Sequence, residues 1–319
     1  MQRAFVLVNP AARGGKGESL WNQISPLVRK TVHPQTVLQD LDGLWRRDLE
    51  QAIEAGVRVV IAAGGDGTVH ALLQGLVDQA GEHSLSNFSF GGVGLGSSND
   101  FHKPFQRVEK GIPIRVSPEQ GTPRDVGLVR FVTPGGKEEK RSFLVSASMG
   151  LTAEGNYFFN TGGGFFRWVK RRFSSLAIFY AALWTVFRYQ NRTCSLSFPC
   201  PVTADGSRDS YRVTNLSITK TPYVSGSFRF DTPVSSADGK FAINLTEGRS
   251  RIGMIRLLFQ LGKGRFLGIE GNHHWSLPGV EISSSKPFFL ELDGEVLLVE
   301  KVSFSMHPEQ INLCTAVTE

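Results

Sequence analysis

Short apolar runs alternate with amphipathic segments over the first 125 residues. Apolar, β-branched runs predict strands at residues 5–8, 36–38, 57–62 and 88–93. Apolar positions at helical spacing predict helices at residues 20–29, at 44–55 and from Asp66 onward, and Pro26 casts doubt on the continuity of the first. Because strands alternate with helices, the pattern predicts an α/β domain with a parallel sheet over residues 1–125.

The pattern changes after residue 125 to short alternating segments separated by turn residues. Strands are predicted at residues 128–132, 143–148, 194–198, 211–219, 241–245, 280–283 and 288–292. Turn chemistry is present at residues 205–206, 237–239 and 293–294, and two helices are predicted at 173–187 and 252–261. These features predict a mainly antiparallel β-sandwich, with a barrel as the alternative, as a second domain over residues 126–303.

Three glycine-rich turns follow predicted strands of the first domain, at residues 9–17, 64–68 and 92–101. Such turns expose backbone N–H groups to anions, and ligands of open α/β sheets bind beyond the carboxyl ends of the strands. The three turns are therefore predicted to share one phosphate-binding rim. Asp66, inside the second turn, would repel a phosphate unless a cation lay between them. The run predicts a nucleotide phosphate with a divalent metal, and hence phosphoryl transfer.

Two further carboxylate motifs are ambiguous when each is taken alone. Asp125 lies in Arg-Asp-Val-Gly before a strand, and a turn or capping role is typical of that setting. Asp293 and Glu295 flank a glycine between two predicted strands, which is also typical of a two-residue hairpin turn. A base and a metal ligand are the functional alternatives for this pair.

Composition narrows the choice of partners. The net charge of +6 and the sequence pI of 9.3 favour an anionic partner, but no nucleic-acid recognition motif is present. Three cysteines without metal-ligand spacing suit a reducing compartment and free thiols. The longest apolar run, at residues 173–187, falls short of the ~20 residues that a membrane span needs. A cytoplasmic chain without a membrane-crossing segment is therefore expected.

Together these runs resemble the catalytic domain of the diacylglycerol kinase family, which includes sphingosine and ceramide kinases. Matches to the family's motifs occur in the family's order at residues 9–17, at 64–68, at 96–101, at Asp125 with Gly127, and at 293–295. NAD kinases and phosphofructokinases are more distant relatives that share the Gly-Gly-Asp-Gly turn. The resemblance implies an NAD kinase/phosphofructokinase-like parallel sheet in the first domain. It also implies that the last stretch, at about residues 304–319, returns to that domain.

The resemblance further implies an ATP- and Mg²⁺-dependent lipid kinase. Residues implied to bind ATP are Asn9, Arg13, Gly14, Lys16, Gly64, Gly65, Gly67, Thr68, Gly96, Ser97, Ser98 and Asn99. Asp293 is implied to be the general base that takes the proton of the lipid hydroxyl. Carboxylates implied to hold or adjoin magnesium are Asp66, Glu295, Asp100, Asp125 and Asp238, the last beside a second, structural ion.

Two departures from the family pattern are visible. The family usually has a glutamate two residues after Thr68, where this chain has His70, and Ser98 replaces a glycine. Neither change affects Asp293, so a variant enzyme is predicted, with an inactive pseudokinase as the alternative. An NAD kinase-like small-molecule kinase and a non-catalytic lipid- or nucleotide-binding regulator are the other functional alternatives.

The expected substrate is a membrane lipid of the diacylglycerol, sphingoid-base or ceramide type. The segment at residues 162–173 combines aromatic side chains with Arg167, Lys170, Arg171 and Arg172, and is predicted to dock on an anionic membrane. Inward packing of its aromatic side chains is the alternative. Peripheral membrane association is thus expected, with a homodimer as one option for the oligomeric state.

Overall fold

The computed structural model describes residues 1–40, 42–81, 83–163, 174–199 and 210–316. It divides into two compact units, Met1–Val126 with His307–Glu319, and Gly127–Met306. Among the described helices, none combines the length and the apolar character that a membrane crossing requires. Cys194 and Cys314 are buried free thiols, whereas Cys200 lies outside the described residues.

The first unit is built on a parallel sheet. Its strands are β1 (Gln2–Val8), β2 (Val32–Leu38), β3 (Val59–Gly64) and β4 (Ser89–Gly94), in the order β2-β1-β3-β4. All three pairings are parallel. The helices are α1 (Ala12–Gly15), α2 (Gly17–Val28), α3 (Trp45–Glu54) and α4 (Asp66–Gln79), with 3₁₀ turns at Leu85–Asn87 and Asp100–His102. This arrangement confirms the α/β domain predicted from the alternating pattern.

Further strands extend the first unit beyond β4. They are β5 (Val108–Glu109), β6 (Ile112–Arg115) and the first part of β7 (Ser117–Val132). Residues near the carboxyl end of the chain also join this unit, because Asn312 and Leu313 pair in parallel with Ser89 and Phe90 of β4. The β4 strand is therefore flanked by β3 on one side, and by β6 and this late segment as further partners.

Two proline positions differ from the sequence expectation. Helix α2 runs unbroken through Pro26, because Trp21, Ile24 and Val28 are buried in the core of the unit and hold the helix in place. Pro34 lies inside β2, which begins four residues earlier than predicted. A proline is tolerated there because β2 is the last strand in the order of the parallel sheet.

The second unit consists mainly of antiparallel strands. They are the rest of β7, then β8 (Glu138–Phe143), β9 (Ser146–Gly150), β10 (Arg192–Ser197), β11 (Tyr211–Thr219), β12 (Tyr223–Val224), β13 (Phe228–Arg229), β14 (Phe241–Glu247), β15 (Asn272–Leu277), β16 (Gly279–Leu292) and β17 (Glu295–Thr315, whose last residues belong to the first unit). The helices are α5 (Leu151–Thr161), α6 (Ser174–Arg188) and α7 (Arg251–Gly262). An aromatic core in which Phe143 stacks on Phe241, with ring centroids 5.6 Å apart, joins these strands.

Three predictions for this unit were wrong in detail. The strand predicted at 143–148 is interrupted at Leu144 and Val145, whose N–H groups donate to the carboxylate of Asp293, in the turn between β16 and β17. The strands predicted at 280–283 and 288–292 are one strand with an irregularity between them. A third helix, α5, follows Gly150, and its Gly155 and asparagines hide the helical pattern in the sequence. The predicted turn at 205–206 lies outside the described residues.

Candidate functional site

The second and third glycine turns touch each other in the first unit. The backbone N–H of Leu95 donates to the carbonyl of Gly64 at 2.9 Å. A Cβ atom added to Gly96 would collide with the Cα atom of Gly65. Only glycine lets the two backbones approach so closely. The turns that follow β3 and β4 therefore form one continuous backbone surface, as the sequence predicts.

The first and second turns are joined by side chains. The Nδ2 atom of Asn9, directly after β1, donates to the Thr68 hydroxyl at 3.0 Å. That hydroxyl in turn donates to Oε1 of Gln39, directly after β2, at 3.2 Å. Sequence reasoning missed Gln39. The available signal was its position at the end of a predicted strand, which places it on the same sheet edge.

The side chain of Arg13 links the first turn to the third. Its Nε atom donates to the carbonyl of Gly96 at 3.0 Å. Both Arg13 and Gly14 have positive φ angles, of 47° and 71°, so the backbone turns sharply at this point. Arg13 and Lys16 are exposed, so their positive charges are accessible to an anion at the rim.

Asn99 shapes the third turn from within. It adopts a left-handed conformation with φ of 52°, which asparagine tolerates better than most residues. Its Oδ1 atom accepts from the Gly96 N–H at 3.1 Å, and its Nδ2 atom donates to the carbonyls of Gly94 and Gly96. The buried Asn99 side chain thus holds the turn, while Ser97 is exposed and Ser98 half-buried.

The three candidate carboxylates of the first unit each have a partner. Oδ1 of Asp66, in the first turn of α4, accepts from the Phe101 N–H at 3.0 Å. Buried Asp100 forms an ion pair of 2.7 Å with Lys103. Buried Asp125 accepts from Nε2 of Gln310 at 2.7 Å, a contact that sequence reasoning did not anticipate.

The rim has features that fit a nucleotide phosphate. The positive end of the α4 dipole, the glycine backbone and two exposed cations meet there. Within the described ranges, no three His, Cys, Asp or Glu side chains gather into a metal cluster. Magnesium bound to nucleotide phosphates needs only one or two protein carboxylates. Asp66 is therefore compatible with a magnesium ion that arrives with the nucleotide.

A buried histidine supports β4 beside this rim. His102 is 4% exposed, and burial, followed by the charge of Arg115, lowers its pKa to about 3. Its imidazole is therefore neutral at physiological pH. The ring packs edge-on against Phe101, with centroids 5.2 Å apart. The position of His102 indicates a packing role in the third turn.

In the second unit, Asp293 and Gly294 form the two-residue turn between β16 and β17. Their φ angles of 45° and 94° are those of a type I′ hairpin. The Asp293 carboxylate is buried and accepts backbone N–H bonds of 2.9–3.0 Å from Leu144, Val145 and Ser146. The side chain thereby stabilises the interruption between β8 and β9. A catalytic role for Asp293 stays a prediction.

A second carboxylate braces the same hairpin. Glu291 is buried; its Oε1 atom accepts from the Gly294 N–H at 2.6 Å, and its Oε2 atom accepts from the Ser148 hydroxyl at 2.7 Å. Sequence reasoning overlooked Glu291, because the pattern of apolar and polar residues along β16 does not indicate that this side chain has a polar partner. Glu295, proposed as a magnesium ligand, is exposed.

The Asp238 carboxylate has a cation supplied by the chain itself. The Lys220 side chain is fully buried, and its ammonium group donates to Oδ1 of Asp238 at 3.1 Å and to the carbonyl of Lys240 at 2.6 Å. This ammonium neutralises the carboxylate that was predicted to adjoin a structural magnesium. The fit of a second metal ion is therefore poor at this turn. The predicted membrane segment, in contrast, falls mostly at residues 164–173, outside the described residues.

Comparisons with known families give two matches. Residues 3–122 match the diacylglycerol kinase catalytic domain, and residues 163–315 match the YegS C-terminal NAD kinase beta sandwich-like domain. A solved structure described as a diacylglycerol kinase from Bacillus anthracis str. Sterne has a TM-score of 0.65 at 15% identity, covering 99% of this chain and 97% of that one. At this identity the likeness concerns the fold alone.

Two curated proteins are also similar. YtlR of Bacillus subtilis (strain 168), which is provisionally named a lipid kinase, is 19% identical over 99% of this chain and 100% of its own length. A mitochondrial acylglycerol kinase of Xenopus laevis is 33% identical over 101 residues, which cover 31% of this chain. That stretch spans only 23% of the length of the acylglycerol kinase.

Proposed function

This chain belongs to the diacylglycerol kinase catalytic-domain family, and from that premise we propose that it transfers the γ-phosphoryl group of ATP to a hydroxyl of a membrane lipid. The observation that carries the proposal is the interlocking of three glycine turns at one sheet edge, through Asn9–Thr68, Gly64–Leu95 and Arg13–Gly96. A parallel sheet with three such turns at its carboxyl edge is suited to a polyphosphate.

We assign the nucleotide to the first unit. The N–H groups at the start of α4 and the glycine backbone would bind phosphate oxygens, and Arg13 and Lys16 would neutralise their charge. Gly67, Ser97 and Ser98 lie within the turns and would add donors to the same ligand. Magnesium, when bound, would offset the negative charge of the phosphates during transfer. Asp66 is the residue we propose to hold it, with Asp100, Asp125 and Glu295 as the other proposed carboxylates.

We assign the proton transfer to Asp293. The lipid hydroxyl oxygen forms a bond to the γ-phosphorus, the bond from that phosphorus to the β,γ-bridging oxygen breaks, and ADP leaves. The hydroxyl proton passes to the Asp293 carboxylate. The backbone bonds to this carboxylate fix its orientation, and Glu291 fixes the turn that carries it. These hydrogen bonds would hold the base in position before the substrate binds.

A panel of acceptors tests the proposal. The purified chain is incubated with labelled ATP and Mg²⁺ and with detergent-dispersed diacylglycerol, monoacylglycerol, a sphingoid base or ceramide, and in parallel with NAD. We expect label in one of the lipids and none in NAD. Label in NAD alone would establish the small-molecule alternative. Tight ATP binding with no labelled product in any arm would favour a non-catalytic regulator.

A matched pair of variants ties the activity to the rim. Thr68→Val removes the hydroxyl between Asn9 and Gln39, whereas Thr68→Ser keeps it. We expect the valine variant to raise the KM for ATP about tenfold and the serine variant to change it less than about twofold. Equal KM values in both variants would contradict the assignment of this edge to ATP.

A further inference from the structure

Helix α7 of the second unit is apolar on two sides. Met254, Leu257 and Leu261 are buried at helical spacing and pack into the unit. On the other side, Ile252 and Phe259 are each 66% exposed. A surface helix of a globular protein normally has polar residues on its solvent side. The exposed apolar side chains of α7 therefore call for an explanation other than packing within the chain.

Bases lie among these exposed apolar side chains. Arg256 continues the row begun by Ile252 and Phe259, and Lys263, directly after the last residue of α7, extends it, since positions 252, 256, 259 and 263 are spaced as on one helical face. Arg251 and Arg265 are also exposed, and no aspartate or glutamate occurs from residue 251 to residue 268. None of these four basic side chains has an ion-pair partner in the described part of the chain. The face is thus apolar and positively charged.

The neighbouring helix α6 has a similar exposed side. Tyr180, Leu183, Trp184 and Phe187 are each more than a third exposed, at the i, i+3, i+4, i+7 spacing of one helical face. Arg188 lies over the Trp184 ring at 4.7 Å. Val186 of α6 and Tyr189, directly after α6, share a buried cluster with Met254 of α7, so the two helices pack against each other. Aromatic side chains beside arginine are typical of membrane interfaces.

We propose that the α7 face, formed by Ile252, Arg256, Phe259 and Lys263, docks the protein on an anionic phospholipid bilayer. Ile252 and Phe259 enter the boundary between headgroups and acyl chains, and the bases bind the headgroup phosphates. The complementary charge favours a lipid surface of net negative charge over a neutral one. This inference deepens the proposed function by naming the surface on which the lipid substrate is reached.

Vesicle co-sedimentation tests the inference without turnover. The full chain is mixed with phosphatidylcholine vesicles or with vesicles of phosphatidylcholine and phosphatidylglycerol. The wild type should sediment with the anionic vesicles and should not sediment with the neutral ones. Ile252→Ser with Phe259→Ser should lower the partition coefficient at least about tenfold. Arg256→Glu with Lys263→Glu should lower it about 30-fold.

Matched controls separate docking from general surface properties. Leu298→Ser removes another exposed apolar side chain of the same unit, which is 44% exposed, and should leave binding unchanged. Arg130→Glu with Lys140→Glu makes the same charge change at two other exposed positions, and should lower partition less than the α7 pair. The thermal midpoint of unfolding should be the same in all variants as in the wild type, because each substituted side chain is exposed.

Clear outcomes would overturn the inference. The inference is wrong if the wild type does not bind anionic vesicles, or if either α7 variant binds them as strongly as the wild type. It is also wrong if the α7 and control charge variants lose binding equally. Loss in the charge variant alone would indicate adsorption without insertion, and would also overturn it. Because ATP binding and lipid phosphorylation are measured separately, failure of docking can be told apart from failure of the proposed kinase activity.

Discussion

The guanidinium Nε of Arg13 and the carbonyl oxygen of Gly96 are hydrogen-bonded at 3.0 Å, although 83 residues separate them in the chain. The bond fixes the first glycine turn against the third. An arginine used in this way contributes geometry as well as charge, since a lysine would keep the charge but lose the planar donor.

Substitution of Arg13 separates these two contributions. Arg13→Lys keeps the positive charge and removes the bond to Gly96, so we expect the KM for ATP to rise about fivefold to tenfold. Arg13→Ala should raise it further. Lys16→Arg is the matched control, because Lys16 is exposed in the same turn and the change conserves charge. An Arg13→Lys enzyme with unchanged KM would show that the bond to Gly96 does not order the ATP site.

Removal of the proposed base requires a control for structure. Asp293→Asn should abolish phosphorylation while ATP binding persists. It should also destabilise the second unit by about 1–3 kcal/mol. The NH₂ group of the asparagine would face a backbone N–H group that donates to the carboxylate in the wild type. Unfolding by denaturant and ATP titration measure the two effects.

Glu291→Gln provides that structural control. It weakens the brace of the same turn through Gly294 and Ser148 without altering the Asp293 carboxylate. We expect a comparable loss of stability but a loss of turnover below about tenfold. Equal loss of turnover in both variants would mean that the turn geometry, rather than proton transfer by Asp293, limits the reaction.

The Lys220–Asp238 pair predicts a second unit that needs no metal ion for stability. EDTA should leave the thermal midpoint of the nucleotide-free protein unchanged, and added Mg²⁺ should not raise it. Lys220→Met should cost about 1–3 kcal/mol, because the Lys240 carbonyl loses its donor, whereas the Asp238 carboxylate is 38% exposed and is solvated by water. A midpoint that falls in EDTA and recovers with Mg²⁺ would restore the structural magnesium site.

The carboxyl of Glu154 should make stability depend on pH. Burial raises its pKa above the usual 4.5, and Arg192, at 3.7 Å, opposes the shift only in part. An acid with a raised pKa holds its proton more tightly in the folded state, so stability falls as pH rises from 4.5 through the raised value. The unfolding free energy of Glu154→Gln relative to wild type should therefore increase with pH across this window.

Glu139 offers a control of opposite sign. Its pKa is lowered, chiefly by the hydrogen bond with Lys137 and further by the charges of Arg141 and Lys137, although burial opposes the shift. The ionised Glu139 carboxylate therefore contributes to the free energy of unfolding above pH 4.5, and this contribution is lost as the pH falls through the lowered pKa. Glu139→Gln should therefore lose stability relative to wild type as pH rises. The same trend in both variants would contradict these assignments.

Local signals in the sequence were sufficient for the parts that depend on neighbouring residues. The apolar run before Gly64 and the helical spacing after Asp66 predicted strand, turn and helix, and Asp293-Gly294 predicted its own hairpin. In contrast, Lys220, Gln310 and Gln39 have partners 18, 185 and 29 residues away. No local pattern encodes such contacts, because they depend on which strand ends and loops the fold brings together.

The interruption of the predicted 143–148 strand shows the same limit. Residues 143–148 are apolar enough for one strand, but three backbone donors turn toward a carboxylate 147–149 residues further along. A strand would have used those N–H groups for pairing. The long-range acceptor therefore overrides the local preference.

The pairing of Asn312 and Leu313 with β4 has a consequence for the order of synthesis. A ribosome makes the chain from its amino end, so all of residues 127–306 emerge before these partners of Ser89 and Phe90 exist. Glu309 and Gln310, which bind Leu85 and Asp125, arrive equally late. We expect the second unit to fold first and the first unit to be completed last. The usual amino-terminal-first sequence of domain folding is then reversed.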